Sequence, residues 1–319
     1  MRWGLPVRFL QFTQYGSRAK ITPQVAFLPP SVLTVVLSMQ DFSAFKSLEG
    51  FLRHMAQLVQ STTGVVESPA DLTGFYSFLG KCNARLGNEN KRLLLAGDEY
   101  EKIDSKIGRG DFPANLLDVL RESIQSHRQI TWLFAGSHEI TELPNAPWRS
   151  YLVSARTISV PPFEPAETLS LLTEPLKYSR LARDLPKPVH FDTSFWGEEG
   201  VDRIHAEAAG WPHLVQLIAE TAVDLVNDQE APSVTSVLLE NALRKAIEKG
   251  HNVLYQLMHG ESTPPEWQYL SAFRKKTEQA PPEDDTVYHS LRRRQLVTEE
   301  NKFWHLRVPL MARWLRERG

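Results

Sequence analysis

The chain is poor in the features that would classify it quickly. It has one cysteine, Cys82, in 319 residues. That excludes a disulfide framework and fits a reducing cytoplasm. No apolar run approaches the roughly 18 residues that a membrane-spanning helix needs. The start, MRWGLPVRFLQF, carries no small-residue cleavage site after its apolar run, so no signal peptide is expected. Charge of one sign is also lacking: 36 Lys and Arg stand against 38 Asp and Glu, net −2. Global attraction to nucleic acid is therefore not implied. The ten histidines are scattered, and no H-x-x-x-H or C-x-x-C spacing offers a metal site. No G-x-S-x-G nucleophile elbow is present.

What the chain does have is an ordinary globular balance, 42% hydrophobic and 23% charged, at a length that predicts two or three domains. Three apolar runs read as buried strands: Ser31–Met39, Leu93–Ala96 and Ile130–Ala135. A fourth, shorter one is predicted at Thr157–Val160. Between them, Phe45–Val59, Leu72–Leu86 and Asn115–Ser126 carry apolar residues at helical spacing. Strands alternating with helices predict an α/β fold with a parallel sheet over residues 1–163. From Glu164 the pattern turns helical: Pro165–Leu176, Val201–Ala209, Pro212–Asn227 and Val234–Lys249, the last with Ser233 as its N-cap. This predicts an all-helical domain over 164–260. Residues 261–319 then read as helix, helix, hairpin around Glu299–Lys302, and a closing helix, a winged-helix pattern.

Chemistry concentrates where Leu93–Ala96 runs into Asp98 and Glu99. Two carboxylates at the carboxyl end of a buried strand stand where ligands bind in open α/β sheets. One acid can hold Mg²⁺ through water and the next can orient an attacking water, the acidic half of a nucleoside-triphosphatase site called Walker B. In these roles Asp98 is the metal-side residue and Glu99 the water-activating base. The neighbouring strand ends in Gly136-Ser137-His138, and Ser137 or His138 is the candidate sensor of a terminal phosphate. The bland alternative is a strand ending in an acidic turn, with Ser137 and His138 facing solvent. A Ser137/His138/Asp98 hydrolase is disfavoured, because adjacent Ser and His on one turn do not easily point at each other.

LLLAGDEYE, WLFAGSHEITEL, ISVPPFEPAETLSLLTEPL, AAGWPHLVQLIAE and VPLMARWLRER together resemble the AAA+-type ATPase domains of the STAND and archaeal-ATPase group, related to origin-recognition ATPases. LPPSVLTVVLSMQ looks like that family's second strand, with Ser38 where an Asp is usual. The resemblance runs from about Phe27 to Gly319. It implies an ATPase core, a helical lid and a C-terminal winged helix, with ATP and Mg²⁺ as ligands and a protein partner or homo-oligomer.

The chain departs from the family at the phosphate cradle. No G-x-x-x-x-G-K-[ST] occurs, the loop whose backbone N–H groups and lysine hold phosphates. Gly80-Lys81-Cys82 imitates it inside a helical pattern, and Gly16–Thr22 imitates it without the second glycine. Residues 1 to about 25 look unlike the family, so a truncated, frame-shifted or decayed form with little or no ATP hydrolysis is expected. The alternative is a non-enzymatic scaffold, or a DNA- or protein-binding module acting through the winged helix. For DNA the candidates are Arg292, Arg293 and Arg294, at the end of the predicted recognition helix, although Glu299 and Glu300 follow closely.

Overall fold

The computed structural model describes residues 29–39, 46–140, 143–153, 155–158, 160–176 and 190–318. The glycine-poor imitation of a phosphate loop at 16–22 lies outside them. The chain divides into two compact units, Met1–Val160 and Pro161–Gly319.

The first unit holds β1 (Val32–Ser38), α1 (Leu48–Thr63), α2 (Leu72–Asn88), β2 (Arg92–Asp98), α3 (Glu101–Gly108), α4 (Leu116–Ser126), β3 (Ile130–Ala135) and the single turn α5 (Trp148–Tyr151). The strands pair in parallel in the order β1-β2-β3. Parallel neighbours require crossovers, and helices supply both of them. Register is set at the carboxyl end, where Ser38 stands opposite Asp98 and Asp98 opposite Ala135. Helix α1 packs on β1, α2 on β2 and α4 on β3. Phe51, Met55, Phe75, Phe78, Leu93 and Leu95 meet in the resulting core. Local signals agree with this packing. Ser47 caps α1 by accepting from the Gly50 N–H at 3.1 Å, and Gly64 ends the helix in the left-handed conformation at φ 71°.

One strand expected from the sequence, Thr157–Val160, is not seen among the described residues. Residues 157, 158 and 160 are irregular, and Ile158 is half exposed. Pro161 and Pro162 follow at once and have no N–H to give a ladder. Conversely, α3 was not expected. Its apolar residues are only Ile103 and Ile107, too few for a visible period.

The second unit is helical with one hairpin. It contains α6 (Pro165–Thr173), α7 (Gly200–Ala208), α8 (Pro212–Asp228), α9 (Ser236–Lys249) and α10 (His251–Tyr255), followed by a π-helical turn over Gln256–Gly260. Then come α11 (Pro264–Ser271), α12 (Asp285–Arg293), β4 (Val297–Glu300), β5 (Phe303–Leu306) and α13 (Pro309–Glu317). Thr235, not Ser233, caps α9, accepting from the Leu238 N–H at 3.2 Å. The hairpin turns through Asn301 and Lys302, both at positive φ (52° and 69°), as a two-residue primed turn demands. A single hydrophobic core joins Leu214, Ile218, Leu239 and Leu243 of the long helices to Leu291, Trp304 and Trp314 of the C-terminal part.

Candidate functional site

The strand-end acids sit in the middle of the sheet. Asp98 closes β2, is 8% exposed, and its carbonyl accepts from the Met39 N–H at 3.0 Å. Its Oδ1 accepts from the Glu99 N–H at 3.1 Å. Burial pushes the Asp98 carboxyl up to about 6, and the charges of Glu99 and Glu101 add to the rise. Glu99 leaves the strand in the left-handed conformation at φ 57°. A non-glycine residue there stores on the order of 1 kcal/mol of strain, and such residues gather at functional sites.

The adjoining strand end is tied to the same place. The Tyr100 N–H donates to the Ala135 carbonyl at 3.2 Å, and the Tyr100 hydroxyl donates to the His138 carbonyl at 2.7 Å. The Tyr100 ring packs edge-on against Trp148 at 5.6 Å. Asp98, Glu99, Ser137 and His138 are thus brought to one end of two neighbouring strands.

A residue that sequence reading did not single out joins them. Glu101, the first residue of α3, accepts from the Ser137 N–H at 3.2 Å and from the Ser137 hydroxyl at 3.0 Å, both at Oε1. His138 Nδ1 lies 3.9 Å from that oxygen and 3.0 Å from Ser137 Oγ. Burial opposes charge on Glu101, but the His138 imidazole, its own backbone N–H and the Ser137 donors outweigh it. They hold the carboxyl below its ordinary value. The donors expected to meet a phosphate are therefore engaged by a carboxylate. Ser137 stands between His138 and Glu101, which is not the nucleophile–base–acid order of a hydrolytic triad.

Whether Mg²⁺ fits can be judged from these groups. This ion keeps several waters and needs only one or two protein carboxylates beside substrate phosphates. Asp98, at the end of β2, can supply one such carboxylate. Among the described residues, the sequence imitation of a phosphate loop does not form a cradle. Lys81, in the nearer imitation, lies within α2 and pairs with Glu67, and Cys82 is buried beneath it. Burial pushes that thiol up to about 11, so it is protonated at neutral pH. Among the described residues no three His, Cys, Asp or Glu side chains converge as a metal cluster.

Of the basic run 292–294, Arg292 and Arg294 have different surroundings. Arg294 turns inward, donating to Ser262 Oγ at 3.0 Å and the Leu257 carbonyl at 2.9 Å, and lies 3.6 Å from Glu266. Arg292 stays half exposed, with its guanidinium 5.5 Å from the Tyr288 ring centre and 3.7 Å from Glu299. Arg294 is thus largely buried, whereas Arg292 is not. Residues 292 and 294 lie about 200° apart around a helix, and Arg294 meets the buried Glu266. No helix among the described residues is long and apolar enough to cross a membrane.

No protein-family profile matches the chain, and no curated protein matches it by sequence. Solved structures do match. The Walker-type ATPase PABY2304 of Pyrococcus abyssi is 14% identical, over 89% of this chain and 84% of that one, at a TM-score of 0.53. The Aeropyrum pernix ORC2 protein, in its ADPNP–ADP complexes, is 14% identical over 90% and 77%, at 0.46. The Thermotoga maritima RuvB Holliday junction branch migration motor is 13% identical over 82% and 94%, at 0.36. The two lower scores carry no weight. The first shows the fold alone: an α/β fold like that of this Walker-type ATPase.

Proposed function

We propose that this chain is an AAA+/STAND-type regulatory protein whose nucleotide site is impaired. The observation that carries the reading is that Asp98 and Glu99 stand at the carboxyl end of β2, with Glu99 in a left-handed conformation, next to the strand whose end leads into Ser137 and His138. Those are the positions a Mg²⁺-side acid, a water-orienting base and a phosphate sensor occupy in a P-loop enzyme. Impairment follows from two supports. The 319 residues contain no glycine-rich loop ending in Lys and Ser or Thr. The Ser137 donors are also already engaged by Glu101, so a triphosphate arriving there would meet the carboxylates of Asp98, Glu99 and Glu101. Within this reading, residues 164–260 act as the lid and 261–319 as a winged helix. The inward turn of Arg294 favours a packing or protein-contact role for the C-terminal module over a DNA-binding one.

A thermal melt with and without saturating Mg-ATP tests the reading. A ligand at about 100 times its Kd adds roughly 2.7 kcal/mol, or at least about 2 °C for a chain of this size. The expected shift is none. A clear shift, with turnover that disappears in Glu99→Gln, would overturn impairment and make the chain an active ATPase.

A further inference from the structure

Outside the strand-end cluster, the C-terminal hairpin holds a second concentration of unused donors. After α12 the chain turns through Gln295, at φ 53° in the left-handed region, before β4 begins. Glutamine has no intrinsic preference for that conformation, so its surroundings must hold it there. Arg307 does so: a guanidinium N–H donates to Gln295 Oε1, and the Arg307 backbone N–H donates to the Leu296 carbonyl at 2.9 Å. That amide oxygen is the only side-chain partner Arg307 has among the described residues. A guanidinium carries five N–H donors in a fixed fork, so most of its capacity is unspent.

Arg307 lines a cavity of about 340 Å³ together with Arg292, Gln295, Thr298, Glu299 and Trp304. That volume lies at the small end of the ligand-site range, roughly 300–1,000 Å³. Arg292, the second cation, donates to the Tyr288 hydroxyl at 2.7 Å. Glu299 is the one acid in the lining. It lies 3.7 Å from Arg292, and the Trp304 indole N–H donates to it at 3.4 Å. Two guanidiniums against one half-exposed carboxylate leave one positive charge uncompensated. Burial pulls the pKa of Arg307 downward, and an arriving anion would relieve that cost.

We propose that this cavity binds a phosphate monoester, held by Arg307 and Arg292 with Gln295 and Thr298 as neutral partners. The assignment stands apart from the nucleotide reading and uses none of its residues. A phosphoryl group offers several acceptor oxygens to planar forks, the pairing at which arginine exceeds lysine. A concave site with Glu299 in its wall and Glu300 beside it at the exposed hairpin tip suits one protruding dianion. A continuous polyanion such as a nucleic-acid strand would have to lie across both carboxylates.

The test is calorimetric titration of the full chain with inorganic phosphate, O-phosphoserine, a short phosphoserine peptide and a single-stranded oligonucleotide. Arginine Nε–Hε NMR would locate the effect. Saturable binding of phosphate and phosphoserine is expected, weakened about tenfold or more in Arg307→Gln, as loss of a charge-assisted pair implies. Glu299→Gln removes the competing charge and is expected to tighten binding about threefold. Arg292→Gln serves the same purpose if a melt shows that Arg307→Gln does not fold. Tighter binding of the peptide than of free phosphoserine identifies a phosphorylated side chain as the source, and equal binding a small phosphorylated molecule. Three results would each overturn the proposal: no saturable binding of either monoester at about 20 mM, where a real site with a Kd near 1 mM would saturate; binding unchanged by both arginine variants; or an oligonucleotide that outcompetes the monoesters through Arg307.

Discussion

Glu101 and Ser137 form a two-point contact across the ends of neighbouring segments. One carboxylate oxygen takes both the Ser137 hydroxyl at 3.0 Å and the Ser137 N–H at 3.2 Å. The other oxygen, Oε2, is buried without a hydrogen-bond partner among the described residues. Gly136 makes room for it: a Cβ there would stand 2.0 Å from Oε2 and 2.9 Å from the Tyr100 ring. Hydrogen bonds to a charged group contribute about 1.5–3 kcal/mol. Glu101→Ala should therefore destabilise the chain by about that much, read from denaturant midpoints. Gly136→Ala should do the same by evicting Glu101. Because both act through one contact, the double variant should fall well short of the sum. Full additivity would mean the contact contributes nothing.

Asp98 gives a pH-dependent prediction of opposite sign to Glu101. Its folded pKa, about 6, lies above the ordinary 3.8. Between those values the folded chain binds more protons than the unfolded one, so this group's contribution to stability falls as pH rises and is fully lost above the folded pKa. The rise from 3.8 to about 6 corresponds to on the order of 3 kcal/mol. Asp98→Asn should accordingly raise stability at pH 8 by roughly 1–3 kcal/mol, with the gain shrinking towards nil near pH 3.5. Glu101, held below its ordinary value, stabilises above the unfolded pKa and loses that contribution as pH falls through its folded one. A gain in Asp98→Asn that does not vary with pH would show that shape rather than charge is responsible.

Much of this site is legible in the sequence, and the part that is not has a physical cause. The run Leu93–Ala96 with its two acids, and Ile130–Ala135 with Gly136-Ser137-His138, are apolar enough to be recognised as strands, and the register brings their ends together. Glu101 is hidden because α3 is hidden: Ile103 and Ile107 alone do not make a periodic face. Their spacing of four, with Glu101 and Asp104 three apart, is the signal that could have revealed two inward-facing acids. The left-handed Glu99 has no sequence signature at all, since glycine or asparagine would be expected there. Thr157–Val160 is β-branched enough to be read as a strand, yet composition cannot supply a neighbour to pair with.

Asp104 is a structural anchor. It is 2% exposed and accepts from the Trp148 indole N–H at 2.9 Å and from the Asn145 side chain at 2.8 Å. It thereby fastens the loop after β3 to α3. Asp104→Ala leaves buried donors without an acceptor, and a loss of about 3 kcal/mol is expected. Asp104→Asn keeps the shape and one acceptor, so its loss should be smaller. Equal losses would point to the charge itself.

Arg294 separates a structural from a surface role for the basic run at the end of α12. Its guanidinium approaches Glu266 to 3.6 Å and Glu261 to 4.0 Å, and bonds Ser262 and the Leu257 carbonyl. Glu266 is itself 4% exposed and completes the capping box of α11 with Thr263. Removing one partner of a buried ion pair strands the other charge, at about 3–5 kcal/mol. Arg294→Ala should therefore destabilise the chain by that order, with the loss concentrated in the second unit by hydrogen exchange. Arg292→Ala, at a half-exposed site, should stay within about 0.5 kcal/mol of wild type. The reverse pattern, an Arg294→Ala chain of unchanged stability but weakened, salt-sensitive nucleic-acid binding, would return Arg294 to the surface role.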